Sequence, residues 1–230
     1  MNKRYLVALD QGTTSSRAVI FNLEGHMLCA ASREFPQIYP KPGWVEHDPM
    51  DILSSQIEAL RQAVRNADID PSEIAAIGIT NQRETTLVWE RKTGKCVHNA
   101  IVWQCRRTAP MVDELIQKGY SDVIRQKTGL VPDAYFSGTK IKWILDELQL
   151  HERAEQGELC FGTVDSFLCW HLAEGNPHVT DATNAGRTML FNLHTQTWDD
   201  ELLKMLNVPA AMLPNVVDTA QVVGYLKEDI

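Results

Sequence analysis

The chain has 230 residues, of which 44% are hydrophobic and 23% are charged, proportions that are typical of a folded globular protein. Its formal net charge of −8 argues against a general nucleic-acid binder and against a binder of anionic membranes, because both classes need a basic face. No segment approaches the roughly 20 apolar residues that span a bilayer, so we expect no membrane insertion.

The cysteines indicate the redox environment of the protein. They are scattered, odd in number and never spaced as Cys-x-x-Cys, at Cys29, Cys96, Cys105, Cys160 and Cys169. This usage favours reduced thiols over disulfides or a zinc site. The first residues resemble the start of a signal peptide, but Asp10 interrupts the apolar run that follows too early. We therefore expect a cytoplasmic protein.

The first predicted elements are three short strands. Two apolar runs, Tyr5–Leu9 and Ala18–Phe21, are rich in β-branched and bulky residues. The connection between them is too short for a crossover helix, so the pair is expected to form an antiparallel hairpin. A third strand over His26–Glu34 would complete an antiparallel meander.

The tip of this hairpin carries residue types that suit phosphate. The sequence over residues 10–17 reads Asp-Gln-Gly-Thr-Thr-Ser-Ser-Arg. Its four consecutive hydroxyl residues offer hydroxyl and backbone N–H donors to phosphate oxygens. Gly12 is expected to take a positive φ and to let a ligand approach closely. Asp10, at a strand end, is suited to hold Mg²⁺, usually through water. The alternative for such a composition is a plain hairpin turn.

The middle of the sequence predicts helices and strands in turn. Apolar residues share one helical face over 50–67, and Asp70-Pro71-Ser72-Glu73 is typical of a second helix start, with a capping aspartate and a proline after it. The run Ile74–Thr80 predicts a buried strand, and Thr86–Glu90 and Val97–Trp103 predict two more.

The last elements complete the predicted fold class. Thr139–Leu148 predicts a helix, Leu159–Gly162 predicts a final strand, and a helix that contains Phe167 follows. A three-stranded antiparallel meander followed by strands that alternate with helices predicts an α/β domain with a mixed sheet. Because no linker-like break divides the chain, we expect one domain over residues 1–230.

A polar loop follows the strand Ile74–Thr80 at its carboxyl end, where ligands of open α/β sheets bind. The neighbours Arg83 and Glu84 would point to opposite faces of a regular strand, so the backbone must bend for both to reach one ligand. Arg83 would then donate to one hydroxyl while Glu84 accepts from another, which is the pair of groups that a small polyol needs. The alternative is a solvated loop with an incidental ion pair.

Several motifs carry a family resemblance. The hairpin tip resembles the first phosphate-binding hairpin of the actin, hexokinase and sugar-kinase superfamily, and the order of elements matches a ribonuclease-H-like half of that architecture. Five further stretches resemble glycerol kinases, members of the FGGY carbohydrate kinase family: Asn81–Thr85, Val102–Arg107, Pro132–Lys140, Gly162–Asp165 and Val179–Asn192. The likeness covers essentially the whole chain. It implies a ribonuclease-H-like domain of the actin/hexokinase ATPase type.

The resemblance also implies a reaction and the residues that serve it. In glycerol kinases ATP phosphorylates glycerol to glycerol 3-phosphate, with Mg²⁺ as cofactor and ADP as the second product, and the full-length enzymes are expected to be homo-oligomers. The family assigns the glycerol site to Arg83, Glu84, Trp103 and Tyr135. It assigns the nucleotide phosphates and Mg²⁺ to Asp10, Gly12, Thr13, Thr14, Ser15 and Arg17.

Three of these assignments have ordinary structural alternatives. A tryptophan at a strand end, such as Trp103, is more often part of a core, and Tyr135 is compatible with an amphipathic surface ring. Arg17 is compatible with an outward-facing strand residue. The motifs around these residues, rather than the residues alone, favour the binding roles.

The family's catalytic base has no counterpart in this sequence. In glycerol kinases that base is an aspartate in a Gly-Asp-Gln segment, which these 230 residues do not contain, and the neighbours of Asp218 do not match it. We expect the chain to be the amino-terminal, substrate-binding half of such a kinase, without the second nucleotide domain and inactive alone. The alternatives are a non-catalytic polyol-binding or interaction module and a kinase for another small polyol.

Overall fold

The computed structural model of the protein describes residues 3–230, and the chain forms two compact units. The first unit combines the described residues up to Gln37 with Asp48–Gln82 and Lys227–Ile230, and the second consists of Ile38–His47 and Arg83–Leu226. The chain passes between the units without any compositional linker. A single domain over residues 1–230 stays a prediction.

Short strands and helices account for the regular structure of the described residues. The strands are β1 (Tyr5–Gln11), β2 (Ser15–Asn22), β3 (Met27–Glu34), β4 (Glu46–His47), β5 (Ile74–Asn81), β6 (Leu87–Glu90), β7 (Ala100–Ile101), β8 (Leu159–Gly162), β9 (Val179–Asp181), β10 (Phe191–Asn192), β11 (Thr197–Trp198) and β12 (Asn215–Val217). The α-helices are α1 (Pro49–Ala67), α2 (Ala109–Gln117), α3 (Ser121–Thr128), α4 (Ser137–Glu147), α5 (His151–Glu155), α6 (Val164–Leu172), α7 (Ala182–Ala185) and α8 (Asp200–Leu206). Pro71–Glu73 and Ala210–Met212 form 3-10 turns.

The first unit is built on a four-stranded mixed sheet in the order β3-β2-β1-β5. β1, β2 and β3 form the predicted antiparallel meander, and β5 lies parallel to β1. Helix α1 packs against β2 and β3 and buries an apolar face that includes Ile52 and Leu60. The Asp48 side chain caps α1 by accepting from the Met50 N–H at 2.7 Å. The predicted α/β class with a mixed sheet is therefore correct.

The segment before β5 differs from the prediction. Asp70 does accept a hydrogen bond from the Ser72 N–H at 2.8 Å, but the turn ends after Glu73 because Ile74 is already extended. The run from Ile74 pairs with β1, so strand pairing overrides the local helix-start signal. The predicted burial of this strand is also wrong: in the described sheet β5 is an edge strand, and four of its residues, Ala75, Ala76, Gly78 and Thr80, are exposed.

The second unit contains two-stranded pairs and helices around its own core. The pairs within the described residues are β4–β7, β6–β8, β9–β12 and β10–β11. Its core includes Phe136, Ile141, Ile144 and Phe161, with the buried face of α8. The predicted strand Val97–Trp103 is reduced to the two residues of β7, and β8 is followed by four more short strands rather than being the last.

The cysteines and the helices agree with the composition. All five cysteines are free thiols, as the sequence predicts. Among the described residues, helix length and apolar content nowhere reach what a bilayer crossing requires.

Candidate functional site

The hairpin tip places a carboxylate and a guanidinium on opposite strands. Asp10 of β1 lies directly across from Arg17 of β2, so the two side chains share one face of the sheet, and both residues are exposed. Thr14 is exposed, and Thr13 and Ser15 are half-buried. The predicted phosphate-binding residues therefore lie on one short turn that solvent reaches.

Gly12 has a different role from the predicted one, because its φ is not positive. Its N–H donates to the Ser15 carbonyl oxygen at 2.9 Å, and a Cβ at this position would lie 3.1 Å from the same oxygen. The glycine is therefore needed for the tightness of the turn rather than for its dihedral angle. Ser16, also at the tip in sequence, is fully buried and shares a hydrogen bond of 2.8 Å with Ser55 of α1.

Gln82 fixes the tip to the end of β5, a role that was not predicted from the sequence. Its backbone N–H donates to the Gln11 carbonyl oxygen at 2.6 Å. Its side-chain amide donates to Gln11 Oε1 at 3.0 Å and to the Gly12 carbonyl oxygen at 3.1 Å. Gln11, the last residue of β1, and Gln82, the residue after β5, are both buried. Both glutamines lie at the carboxyl ends of β1 and β5, which are neighbouring parallel strands, and this shared position is the sequence signal that could have identified the pair.

The tip fits a magnesium ion through a single carboxylate. Within residues 3–230, no group of three or more His, Cys, Asp or Glu side chains converges as a metal site. Mg²⁺ in phosphate sites keeps several waters and takes one or two carboxylates, with phosphate oxygens as the other ligands. The exposed Asp10, beside the hydroxyls of the turn, meets that requirement.

In the second unit, the predicted bend is present at Glu84. This residue adopts a φ of 63°, in the left-handed region that non-glycine residues rarely occupy. Its carbonyl oxygen accepts hydrogen bonds from Ser137 Oγ at 3.1 Å and from Thr86 Oγ1 at 3.2 Å. The bend buries Glu84 and leaves Arg83 exposed, and Arg83 makes no hydrogen bond or ion pair within the described chain.

The Glu84 carboxylate lies in an ion pair that the sequence analysis missed. Arg187 Nε donates to Glu84 Oε1 at 2.5 Å. The same guanidinium lies 5.5 Å from the ring centroid of Tyr135 and 4.9 Å from that of Phe136. In the sequence Arg187 is only part of a family motif, and no local pattern indicates its proximity to Glu84.

The two predicted aromatic residues lie together. The rings of Trp103 and Tyr135 pack edge-to-face with centroids 5.4 Å apart, and both residues are half-buried. The backbone N–H of Trp103 donates to Thr85 Oγ1 at 3.3 Å, which links the tryptophan to the loop that contains Glu84. The second unit therefore brings Glu84, Trp103 and Tyr135 into one cluster.

The loop that carries Tyr135 is fixed from both sides. Asp133 Oδ1 accepts from the Tyr135 N–H and from Arg106 Nη1, each at 2.7 Å. Lys140 Nζ, fully buried, donates to the carbonyl oxygens of Tyr135 at 2.5 Å and Phe136 at 3.2 Å. Burial lowers the pKa of Lys140 to about 7. The position of the tyrosine is thus set by the Lys140 side chain and by Asp133.

The cluster suits a small polyol. A carboxylate accepts hydrogen bonds from hydroxyl groups, and a tyrosine hydroxyl both donates and accepts. The half-buried tryptophan offers an apolar surface for a carbon chain.

Comparison with protein families and curated proteins places the chain among carbohydrate kinases. A model of the FGGY family of carbohydrate kinases, N-terminal domain, matches residues 5–230. Glycerol kinase 2 of Thermotoga maritima is 60% identical over 228 residues, which cover 99% of this chain and 46% of that protein. The glycerol kinase of Pseudothermotoga lettingae is 58% identical over 231 residues, which cover 100% of this chain and 46% of that protein. The chain spans about half the length of the curated relatives it matches.

Solved structures agree. Glycerol kinase of Plasmodium falciparum, crystallised with ADP, matches with a TM-score of 0.91 and 30% identity, over 100% of this chain and 46% of that one. A gluconate kinase of Lactobacillus acidophilus matches with a TM-score of 0.88 and 25% identity, over 98% of this chain and 44% of that one. These likenesses confirm the predicted fold of the actin/hexokinase type.

Proposed function

Because the chain belongs to the FGGY family of carbohydrate kinases, we propose that it provides the glycerol-binding part of an ATP-dependent glycerol kinase. In the proposed reaction a terminal hydroxyl of glycerol attacks the γ-phosphate of Mg-ATP and gives glycerol 3-phosphate and ADP. Identities of 58–60% to bacterial glycerol kinases, against 25% to a gluconate kinase, support glycerol as the substrate. Residues 1–230 would then form the amino-terminal, substrate-binding domain.

The observation that carries this proposal is the cluster around Glu84. The Glu84 carboxylate would accept a hydrogen bond from one hydroxyl of glycerol, and the exposed Arg83 would donate to another. The Tyr135 hydroxyl would bind a hydroxyl as well, and the Trp103 ring would lie against the carbon skeleton. Held this way, glycerol loses its rotational freedom before the phosphoryl transfer, and that loss lowers the barrier of the reaction.

We propose that the hairpin tip binds the nucleotide phosphates. Thr13, Thr14 and Ser15 would donate to phosphate oxygens, and Arg17 would offset part of their charge. Asp10 would hold Mg²⁺, directly or through water. The metal ion, when bound, neutralises charge on the phosphates.

The 230 residues are expected to bind substrate without appreciable turnover. The curated relatives are about twice as long as the region that matches, which leaves room outside it for a catalytic base and for further nucleotide contacts. General-base catalysis alone contributes roughly 10²–10⁴-fold to rate. A cytoplasmic location and a homo-oligomeric state of the whole protein belong to the same proposal and rest on the resemblance to glycerol kinases.

Glycerol binding to the 230-residue chain, measured by calorimetry or by NMR titration, tests the proposal. We expect saturable binding that Arg83→Ala weakens by about tenfold or more, since a hydrogen bond to a charged group is lost. Arg125→Ala is the matched control, because Arg125 is an exposed arginine on α3 of the same unit. It should leave the affinity unchanged.

Other outcomes identify the alternatives. Glycerol affinity that is equal in the parent chain and in Arg83→Ala would contradict the proposed site. Tighter binding of xylitol or gluconate than of glycerol would indicate a kinase for another polyol. Glycerol 3-phosphate formed from Mg-ATP by the 230-residue chain, and abolished by Arg83→Ala, would overturn the expectation that it is inactive alone.

A further inference from the structure

We propose that Arg187 is a positioning residue of the polyol site, which holds the Glu84 carboxylate and the Tyr135 ring in the arrangement that binds substrate. The inference rests on the proposed function, because it assigns a role within the same site. Arg187 would act through Glu84 and Tyr135 rather than on the reacting atoms.

One side chain contacts both of these predicted ligands. The Arg187 guanidinium pairs with Glu84 Oε1 through Nε at 2.5 Å, and it lies over the Tyr135 ring at 5.5 Å from the centroid. The same guanidinium lies 4.9 Å from the Phe136 ring, whose centroid is 5.3 Å from that of Tyr135. A planar guanidinium can pair with a carboxylate and stack on aromatic faces at the same time, which an ammonium cannot do as well.

No other cation in the described chain replaces this contact. Lys140 is a buried cation beside the same loop, but its Nζ donates to the carbonyl oxygens of Tyr135 and Phe136 and not to the carboxylate. Arg83, the neighbour of Glu84 in sequence, is exposed and makes no ion pair within residues 3–230. Among the described residues, Arg187 is therefore the cation in direct ion-pair contact with the Glu84 carboxylate, and Lys140 interacts with that carboxylate only at longer range.

Glu84 needs this support for two physical reasons. Its side chain is only 2% exposed, and a buried carboxylate that loses its cation is strongly destabilised. Its φ of 63° is unfavourable for a residue with a Cβ, so the conformation persists only where its surroundings fix it. Ser137 Oγ fixes the Glu84 carbonyl oxygen, and Arg187 fixes the carboxylate.

The backbone of Arg187 is itself anchored to the start of α4. The Ser137 N–H points to the Arg187 carbonyl oxygen at 3.4 Å, and the Gly138 N–H donates to the Thr188 carbonyl oxygen at 2.7 Å. The first N–H groups of a helix lack partners within the helix, so the segment after α7 satisfies them. Arg187 thus approaches Glu84 from a rigid position, close to Tyr135.

The decisive experiment is a double-mutant cycle on glycerol affinity with Arg187→Met and Glu84→Gln. If Arg187 acts through Glu84, Arg187→Met weakens binding by about tenfold or more in the parent background. In the Glu84→Gln background the same change should weaken binding clearly less than in the parent, because the carboxylate that Arg187 orients is gone and only its contact with the Tyr135 ring remains. Arg187→Lys, which keeps the cation but not the planar fork, should fall between the parent and Arg187→Met.

A second measurement needs no ligand. In the free chain, the NMR resonances of the Glu84 amide and the Tyr135 ring should shift in Arg187→Met and stay in place in the control Arg125→Ala. If Arg187→Met does not fold, the same comparison and the affinity measurement are made with Arg187→Lys.

The possible failures are distinguishable. Unchanged Glu84 and Tyr135 resonances, or losses of affinity that multiply in the double variant, would overturn the role of Arg187 and leave the proposed function standing. A parent chain that does not bind glycerol would overturn the proposed function, whereas shifted resonances in Arg187→Met would still support the positioning of the two side chains.

Discussion

The Gly138 N–H donates to the Thr188 carbonyl oxygen at 2.7 Å, and a Cβ on Gly138 would lie only 2.6 Å from that oxygen. The same Cβ would lie 2.7 Å from Leu206 Cδ1. The start of α4 and the segment after α7 can therefore approach each other only because position 138 has no side chain. The contact between these segments also sets the position of Arg187.

Gly138→Ala is expected to destabilise the chain by roughly 1–3 kcal/mol, the usual effect of overpacking. Alanine favours a helix over glycine by about 1 kcal/mol, so the clash must outweigh this gain. Gly78→Ala is the matched control, because Gly78 has an ordinary φ and a Cβ added to it would have no atom within 4 Å. Urea denaturation measures both variants, and equal stabilities would contradict the prediction.

Gln82→Leu should loosen the hairpin tip. The change removes two side-chain hydrogen bonds and leaves Gln11, which is fully buried, with an unsatisfied oxygen. A buried polar group without its partner lowers the free energy of unfolding by about 1–3 kcal/mol. Hydrogen exchange at the Gly12 amide, which closes the turn, should accelerate in the variant.

The double variant Gln11→Leu/Gln82→Leu provides the control. Because Gln11 Oε1 is then absent together with its donor, the double variant should lose less stability than the two single changes summed, although the Gly12 carbonyl oxygen loses both of its side-chain donors. A double variant less stable than the sum of the two single changes would show that the pair is not the source of the effect.

Acid should destabilise the chain through His47. This side chain is fully buried, and burial lowers its pKa to about 4, whereas in the unfolded chain the pKa is about 6.5. The unfolded state therefore binds more protons between these values, and the free energy of unfolding falls as pH falls from 6.5 toward 4. The difference of 2.5 units corresponds to about 3 kcal/mol at most.

Urea midpoints between pH 7 and 4.5 measure this effect in the parent chain and in His47→Gln. The variant should lose less stability over that range. Some acid sensitivity should remain, because burial also lowers the pKa of His178 to about 4. An identical pH dependence in the two chains would contradict the prediction.

Lys140 should make the chain more stable as the pH rises above 7. Burial lowers its pKa to about 7, but in the unfolded chain it stays protonated up to about pH 10. Because the unfolded state then binds more protons above pH 7, the free energy of unfolding should rise by roughly 1–2 kcal/mol between pH 7 and 8.5. Urea denaturation gives the free energy of unfolding at each pH for the parent chain and for Lys140→Met. The increase of this free energy with pH should be smaller in Lys140→Met.

Most of the first unit could be predicted from the sequence because its signals are local. The apolar runs of β1 and β2 lie on either side of a connection too short for anything but a hairpin, and the apolar face of α1 recurs with the helical period. The helix start predicted at Asp70 failed, since the run from Ile74 pairs with β1 instead. Local capping chemistry was correct there, but it does not determine whether a helix continues beyond the cap.

The sequence indicated the residues of the candidate site but not the contacts between them. Glu84 and Tyr135 follow from motifs in the sequence, and the hypothesis that Arg83 and Glu84 bind one ligand predicted a bend there, which the structure has at Glu84 with Glu84 buried and Arg83 exposed. The pairing of Glu84 with Arg187 joins residues 103 positions apart, and that of Gln11 with Gln82 joins residues 71 apart. Such pairs depend on how separate segments pack, and no local pattern encodes them.

The alternation of the chain between its two units has a consequence for synthesis. On the ribosome, the sheet and α1 of the first unit can fold once Gln82 has emerged. The segment Ile38–His47 cannot yet pair, because its partner strand β7 in the second unit is translated later. That segment therefore forms an unpaired loop of the nascent chain until β7 has emerged. In the first unit, Arg61 donates to the carbonyl oxygens of Asp229 and Ile230. These hydrogen bonds form only after the entire second unit has been translated.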